Sequence, residues 1–217
     1  MNNKLQHFDR NNIIALLLFS LYCVLLLLIR AKISNSIFLF FLIWNLFLAF
    51  IPYAMLLYLK TKLCFQNNII KIVIYLVVWL LFLPNTFYIV TDFTHLTNSK
   101  SSLFWFDLLL LCSFSIIGFV LGLLSLFEFE KIIKIFISSK IVQLLIPLIC
   151  ILCGFGIYLG RIKRFNSWDV FHHPFRLTFS IIKILESFEV VAFSIQFGLF
   201  IYVFYQLKQF FFNYNNN

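Results

Sequence analysis

The chain has 217 residues, 63% of them hydrophobic and only 12% charged, and its 17 Lys and Arg against 8 Asp and Glu leave a formal charge of +9. A mean hydropathy of +1.00 excludes a soluble globular protein, because a chain of this size would have to turn polar residues outward over much of its surface. The positive balance does not point to nucleic acid either: the bases lie between apolar runs, where they orient helices and meet anionic lipid head groups.

A helix needs about 20 apolar residues to cross a hydrocarbon core of about 30 Å. Stretches of that kind occur at about 12–29, 36–59, 69–83, 103–127, 141–159 and 188–206. The sequence therefore predicts an all-α integral membrane bundle of about six transmembrane helices in a single domain over 1–217. The first run follows Lys4 and Arg10, as a secretion signal would. No small-residue cleavage site comes after it, and Arg30 and Lys32 follow directly, so it is read as a retained helix. Pro52 and Pro84 are expected to kink the second and third spans, and Asn45 to be satisfied by a neighbouring helix.

The third span runs on into "LPNTFYIVTDFTHLTNSKSSLFWFD", residues 83–107. Asp92 and His95 are three apart and would share a face if a helical turn begins there; Asp92 is equally suited to capping a short helix while His95 meets water. Asp107 lies within the fourth span, where a carboxylate normally faces the bundle interior, and an Arg from the fifth loop is the expected partner. The fourth and fifth spans each carry a GxxxG spacing, at Gly118 and Gly122 and at Gly156 and Gly160, which predicts close packing of one on the other. Between them, "EFEKIIKIFISSK" (128–140) places Glu130 four residues before Lys134. It reads as a short amphipathic helix at the interface.

The five cysteines, Cys23, Cys64, Cys112, Cys150 and Cys153, sit in or beside apolar runs. They read as small buried thiols rather than a disulfide framework, the CxxC of Cys150 and Cys153 included. After the fifth span comes "GRIKRFNSWDVFHHP", 160–174. Arg161 and Arg164 can snorkel and complement the helix C-terminus. They can equally pair with Asp92, Asp107 or Asp169, or clamp a phosphate or carboxylate. Asn166 or Ser167 caps a following turn, and Trp168 anchors at the interface. Asp169 and His173, four apart, are possible metal ligands together with Asp92 and His95, although no strong metal spacing is present. Glu189 and Gln196 would share a face of the sixth span and could extend a polar path. The tail "NYNNN", 213–217, is polar and expected to be disordered.

An even number of helices separates the third loop from the fifth, so both fall on one side of the membrane whichever way the chain inserts. Counted by side, nine bases face eight. With the five of the fifth loop set aside as functional the count becomes nine against three, which favours a cytoplasmic N-terminus.

The blocks "LPNTFYIVTDFTHL", "WFD" and "YLGRIKRFNSWD", in that order between membrane helices, resemble the bacterial multi-pass membrane family known as domain of unknown function number 1361. The likeness runs from about the second span onward. It departs from the family pattern at Phe87, where a second Pro is usual, and the family does not require His172 and His173. The resemblance therefore falls on Asp92, His95, Asp107, Arg161, Arg164, Asn166, Trp168 and Asp169. It implies a multi-pass fold with a paired-loop signature in the inner membrane, and it points to no particular activity.

Two functions remain open on these residues. One is a binding, assembly or minor transport component whose third and fifth loops form an ion-paired lid. The other is a membrane-embedded enzyme acting on a lipid-linked or phosphate-bearing head group. In it Arg161, Arg164, Asn166 and Trp168 would hold substrate while Asp92, His95, Asp107 and Asp169 served acid-base or metal roles. The expected partner is the lipid bilayer, with anionic head groups; no cofactor is indicated.

Overall fold

The structure, a computed structural model, describes residues 2–62, 69–98, 101–163 and 187–214, with the side chains at 2–12, 62, 98, 101 and 208–214 left aside. Among these residues there is no strand, as the bilayer dictates: with no water to satisfy backbone N–H and C=O groups, an open chain must bond to itself as helix. The elements in order are α1 (Asn2–Ser34), a 3₁₀ turn (Phe38–Phe40), α2 (Phe41–Lys62), α3 (Ile69–Phe82), α4 (Pro84–Tyr88), a 3₁₀ helix (Ile89–Asn98), a 3₁₀ turn (Ser101–Leu103), α5 (Phe104–Ile133), α6 (Ser139–Arg161) and α7 (Phe188–Tyr214). Six of the helical stretches are long and apolar enough to cross a membrane: Ile13–Ser34, Phe38–Thr61, Ile69–Thr97, Phe104–Ile133, Ser139–Arg161 and Phe188–Leu207. The chain is an all-α membrane bundle.

α5 is the central helix. Its first half, through Leu110, Phe114 and Ile117, packs into a core with Leu27 of α1 and Leu42 and Leu46 of α2. Its second half, through Leu126, Phe129 and Ile132, packs with Trp79 of α3, Cys150 and Cys153 of α6 and Tyr205 of α7. There the Trp79 ring stacks on Phe129 at 4.6 Å, and its indole N–H donates to Ser125 Oγ at 2.8 Å. Cys23, Cys112, Cys150 and Cys153 are free thiols.

The third span is longer than the run 69–83 suggests, and it breaks once and then changes helix type once. Leu83 still donates to the Trp79 carbonyl at 3.0 Å. Pro84 then supplies no N–H and its ring crowds the preceding turn, so the α3 ladder stops there. The chain restarts as α4 and tightens to 3₁₀ from Ile89. Laid end to end, α3 and α4 cover about 28 Å at 1.5 Å per residue, close to the thickness of the hydrocarbon core. The 3₁₀ helix therefore begins near the membrane face.

The glycines seat this broken segment. A β-carbon on Gly118 would lie 2.7 Å from the Thr86 carbonyl oxygen, one on Gly122 2.4 Å from the Phe87 ring, and one on Gly156 2.5 Å from Pro84 Cγ. The two GxxxG helices thus do not pack closely on each other as expected. Each lends its small residues to α4, which is wedged between them. Close backbone approach occurs instead between α6 and α7, where a β-carbon on Gly154 would meet the Ser194 carbonyl oxygen at 2.4 Å and one on Gly198 would meet Ile151 Cα at 2.6 Å.

The separate interfacial helix expected at 128–140 is not formed. α5 continues unbroken through Ile133, and residues 134–137 turn tightly into α6. Glu128 and Glu130 are buried within α5, so the segment has bundle contacts that hold it in line with the span.

Candidate functional site

The 3₁₀ helix Ile89–Asn98 builds the site through its period. With three residues per turn, side chains three apart eclipse, so Ile89, Asp92 and His95 form one column and Tyr88, Thr91, Thr94 and Thr97 the next. Each threonine of the second column turns its hydroxyl back on the chain: Thr91 donates to the Tyr88 carbonyl at 2.6 Å, Thr94 to that of Thr91 at 3.1 Å, and Thr97 to that of Thr94 at 2.9 Å. These bonds brace a helix type that rarely runs so long.

The first column faces the bundle. Asp92 is fully buried, at 0% exposure, and both its oxygens are engaged. Arg161, in the last turn of α6, donates through Nη1 to Oδ1 at 3.0 Å. Asn45 of α2 donates through Nδ2 to Oδ2 at 3.0 Å. Arg161 Nη2 also donates to the Thr91 carbonyl at 3.0 Å and closely to the Thr94 hydroxyl, while the guanidinium lies 5.7 Å from the centre of the Tyr88 ring. One planar cation therefore reads a carboxylate, a carbonyl and a hydroxyl of the 3₁₀ helix and an aromatic face at the end of α4, a task suited to the Arg fork rather than to a point charge. Asp92 is not a helix cap: it lies inside the 3₁₀ segment. Asn45 is satisfied by a neighbouring element, as expected of a polar residue in a span.

His95, half-buried, packs against the rings of Phe38 at 5.7 Å and Phe41 at 4.9 Å between centroids. Asp107 points inward as expected, and an Arg from the first span reaches it. Arg30 of α1 holds it with a two-pronged grip, Nε to Oδ1 at 2.9 Å and Nη2 to Oδ2 at 3.2 Å, and turns Nη1 to Ser34 Oγ at 3.1 Å. Both residues are buried. Arg30 reaches Asp107 because α1 and α2 flank the start of α5; the expected pairing with an Arg of the fifth loop lies, for Arg164, outside the described residues.

The third loop and the end of the fifth span thus meet through Arg161 and Asp92. Arg164, Asn166, Trp168, Asp169, His172 and His173 lie outside the described residues. Among the described residues no group of three or more His, Cys, Asp or Glu is placed to hold a metal; Asp169 and His173, the ligands expected beside Asp92 and His95, lie outside them. The polar path expected from Glu189 to Gln196 does not enter the bundle, since both are exposed while Val190, Ser194 and Ile201 carry the buried face of α7. Sequence reasoning read Arg30 only as an orienting charge. Its position at the end of a span, opposite an intramembrane carboxylate, was the signal for more.

The model of a family described as protein of unknown function (DUF1361) matches residues 44–204. Its range takes in Asn45, the whole third span, Asp107 and Arg161, and leaves out Arg30. No curated protein and no solved structure matches the chain.

Proposed function

The chain belongs to the DUF1361 family, and from the arrangement of its buried charges we propose that it is a non-enzymatic component of the inner membrane, a binding or assembly protein. In this reading its broken third span is clasped to α6 so that the end of α6 is held at one membrane face. The observation that carries the reading is the state of the two carboxylates. Asp92 has both oxygens taken by Arg161 and Asn45, and Asp107 has both taken by Arg30. A carboxylate used as an acid, base or metal ligand must be open to its target, and both of these are buried among their partners. These are spent on holding five spans together.

Orientation follows the same reading. The clasp lies on the extracytoplasmic face, with the N-terminus in the cytoplasm, because Arg30 and Arg161 serve ion pairs there while the opposite rim gathers the larger share of the bases.

The test replaces Asp92→Asn and Arg161→Gln singly and measures membrane accumulation together with the metal content of the purified protein. The clasp predicts reduced accumulation or earlier unfolding, with no stoichiometric metal lost. Variants that accumulate and melt like the parent but lose a stoichiometric metal would replace it with the enzyme reading, acting on a phosphate-bearing head group.

A further inference from the structure

The rim opposite the clasp has a design of its own. α5 ends there with two buried carboxylates, Glu128 and Glu130, which take no part in the site above. Lys131 sits on Glu128 Oε1 at 2.5 Å and Lys60 of α2 on Glu128 Oε2 at 3.2 Å; Lys134 sits on Glu130 Oε1 at 2.6 Å. Tyr205 of α7 donates its hydroxyl to the other oxygen of Glu130. The carboxylates are shielded, but the lysines they hold are not. The side chains of Lys60, Lys131 and Lys134 are 36%, 51% and 41% exposed.

Lys71 at the start of α3 and Lys140 at the start of α6 stand exposed at the same end of the bundle. Five lysines at four helix ends thus surround two carboxylates, and the ammonium groups keep a net positive field. The tight turn between α5 and α6 adds an apolar tip: Ile135 is 70% exposed and Phe136 is exposed beside it. In water such a tip between lysines would be costly. At a bilayer surface the apolar pair enters the acyl boundary while the lysines stay at head-group level.

We infer that this rim docks anionic phospholipid, with Lys60, Lys131 and Lys134 prepositioned on Glu128 and Glu130 to receive the head-group phosphate and the tip formed by Ile135 and Phe136 inserted beside it. Charge complementarity selects the anionic head group, and the apolar tip selects a lipid over free phosphate. Each lysine at an anionic surface strengthens attraction by about fivefold in affinity.

Native mass spectrometry of the full chain in detergent, titrated with phosphatidylglycerol and separately with phosphatidylcholine, tests the inference. The expected result is preferential retention of phosphatidylglycerol, not displaced by millimolar inorganic phosphate. Retention should fall at least fivefold in Lys131→Gln with Lys134→Gln and persist in Lys131→Arg with Lys134→Arg. Lys32→Gln with Lys163→Gln, at the other rim, should leave it unchanged. Should the double Gln variant fail to fold because Glu128 and Glu130 lose Lys131 and Lys134, Lys140→Gln, which leaves all three ion pairs intact, should still lower retention about fivefold. Equal retention of the two lipids, full displacement by phosphate, or a loss in the opposite-rim variant equal to that at this rim would overturn it.

Discussion

The burial of the Asp92–Arg161 pair is lopsided, and the two halves should not cost the same to remove. Asp92 is fully enclosed, whereas the Arg161 side chain keeps 20% of its surface exposed. Arg161→Gln strands a carboxylate that cannot reach water and retains Asn45 as its partner among the described residues. Breaking a buried pair from that side costs about 3–5 kcal/mol. Asp92→Asn leaves a guanidinium that keeps its bonds to Thr91 and Thr94 and can bend toward the head groups. Its cost is about 1.5–3 kcal/mol, that of one charge-assisted hydrogen bond. The double variant removes the stranded charge and should be less damaged than the sum of the singles by about 2 kcal/mol, a coupling typical of residues in direct contact. Reversible unfolding of the purified protein in mixed micelles, followed by far-UV circular dichroism, gives the three differences on one scale. Equal costs for the two singles, or additivity within about 0.5 kcal/mol, would refute the claim that Arg161 exists to neutralise a buried Asp92.

Arg30→Ala should destabilise by about 3–5 kcal/mol because it takes the two-pronged ion pair from the buried Asp107, whereas Lys32→Ala, two residues on, should stay within about 0.5 kcal/mol; melting of the two variants side by side checks this. Arg30→Lys should recover only part of the loss, since an ammonium cannot reproduce the two-pronged contact. Gly154→Ala should cost about 1–3 kcal/mol by overpacking: its β-carbon meets the backbone of Ser194, which cannot rotate away, and the loss should appear as weaker association of α6 with α7 in crosslinking between the two helices. Ser101→Cys in a background without other cysteines should react with an impermeant maleimide added to intact cells; labelling only after permeabilisation would reverse the proposed orientation.

The spans were legible from the sequence because what makes a span is local. Twenty apolar residues with self-satisfied backbone are a membrane helix whatever their neighbours do, and the parity of the spans places 83–107 and 160–176 on one face without any coordinates. Asp92, Asp107 and Arg161 stood out for a similar reason: an ionisable residue at such a depth needs a partner. Which partner it takes is not local. Arg30 and Asp107 are 77 residues apart, and no periodicity distinguishes Arg30 from Arg161 as the cation that reaches Asp107. The choice falls to whichever helix flanks α5 at that level, and that depends on how the whole bundle packs. The glycines carry the same lesson. Their spacing marked faces of close approach, but only the tertiary structure decided that Gly118, Gly122 and Gly156 admit the broken segment around Pro84, while Gly154 and Gly198 bring α6 and α7 together. Composition and local hydropathy thus determined that the chain crosses the membrane as helices. The pairing of its few buried charges was left to packing, because a charge in a low-dielectric interior is satisfied only by the group that geometry brings within about 3 Å.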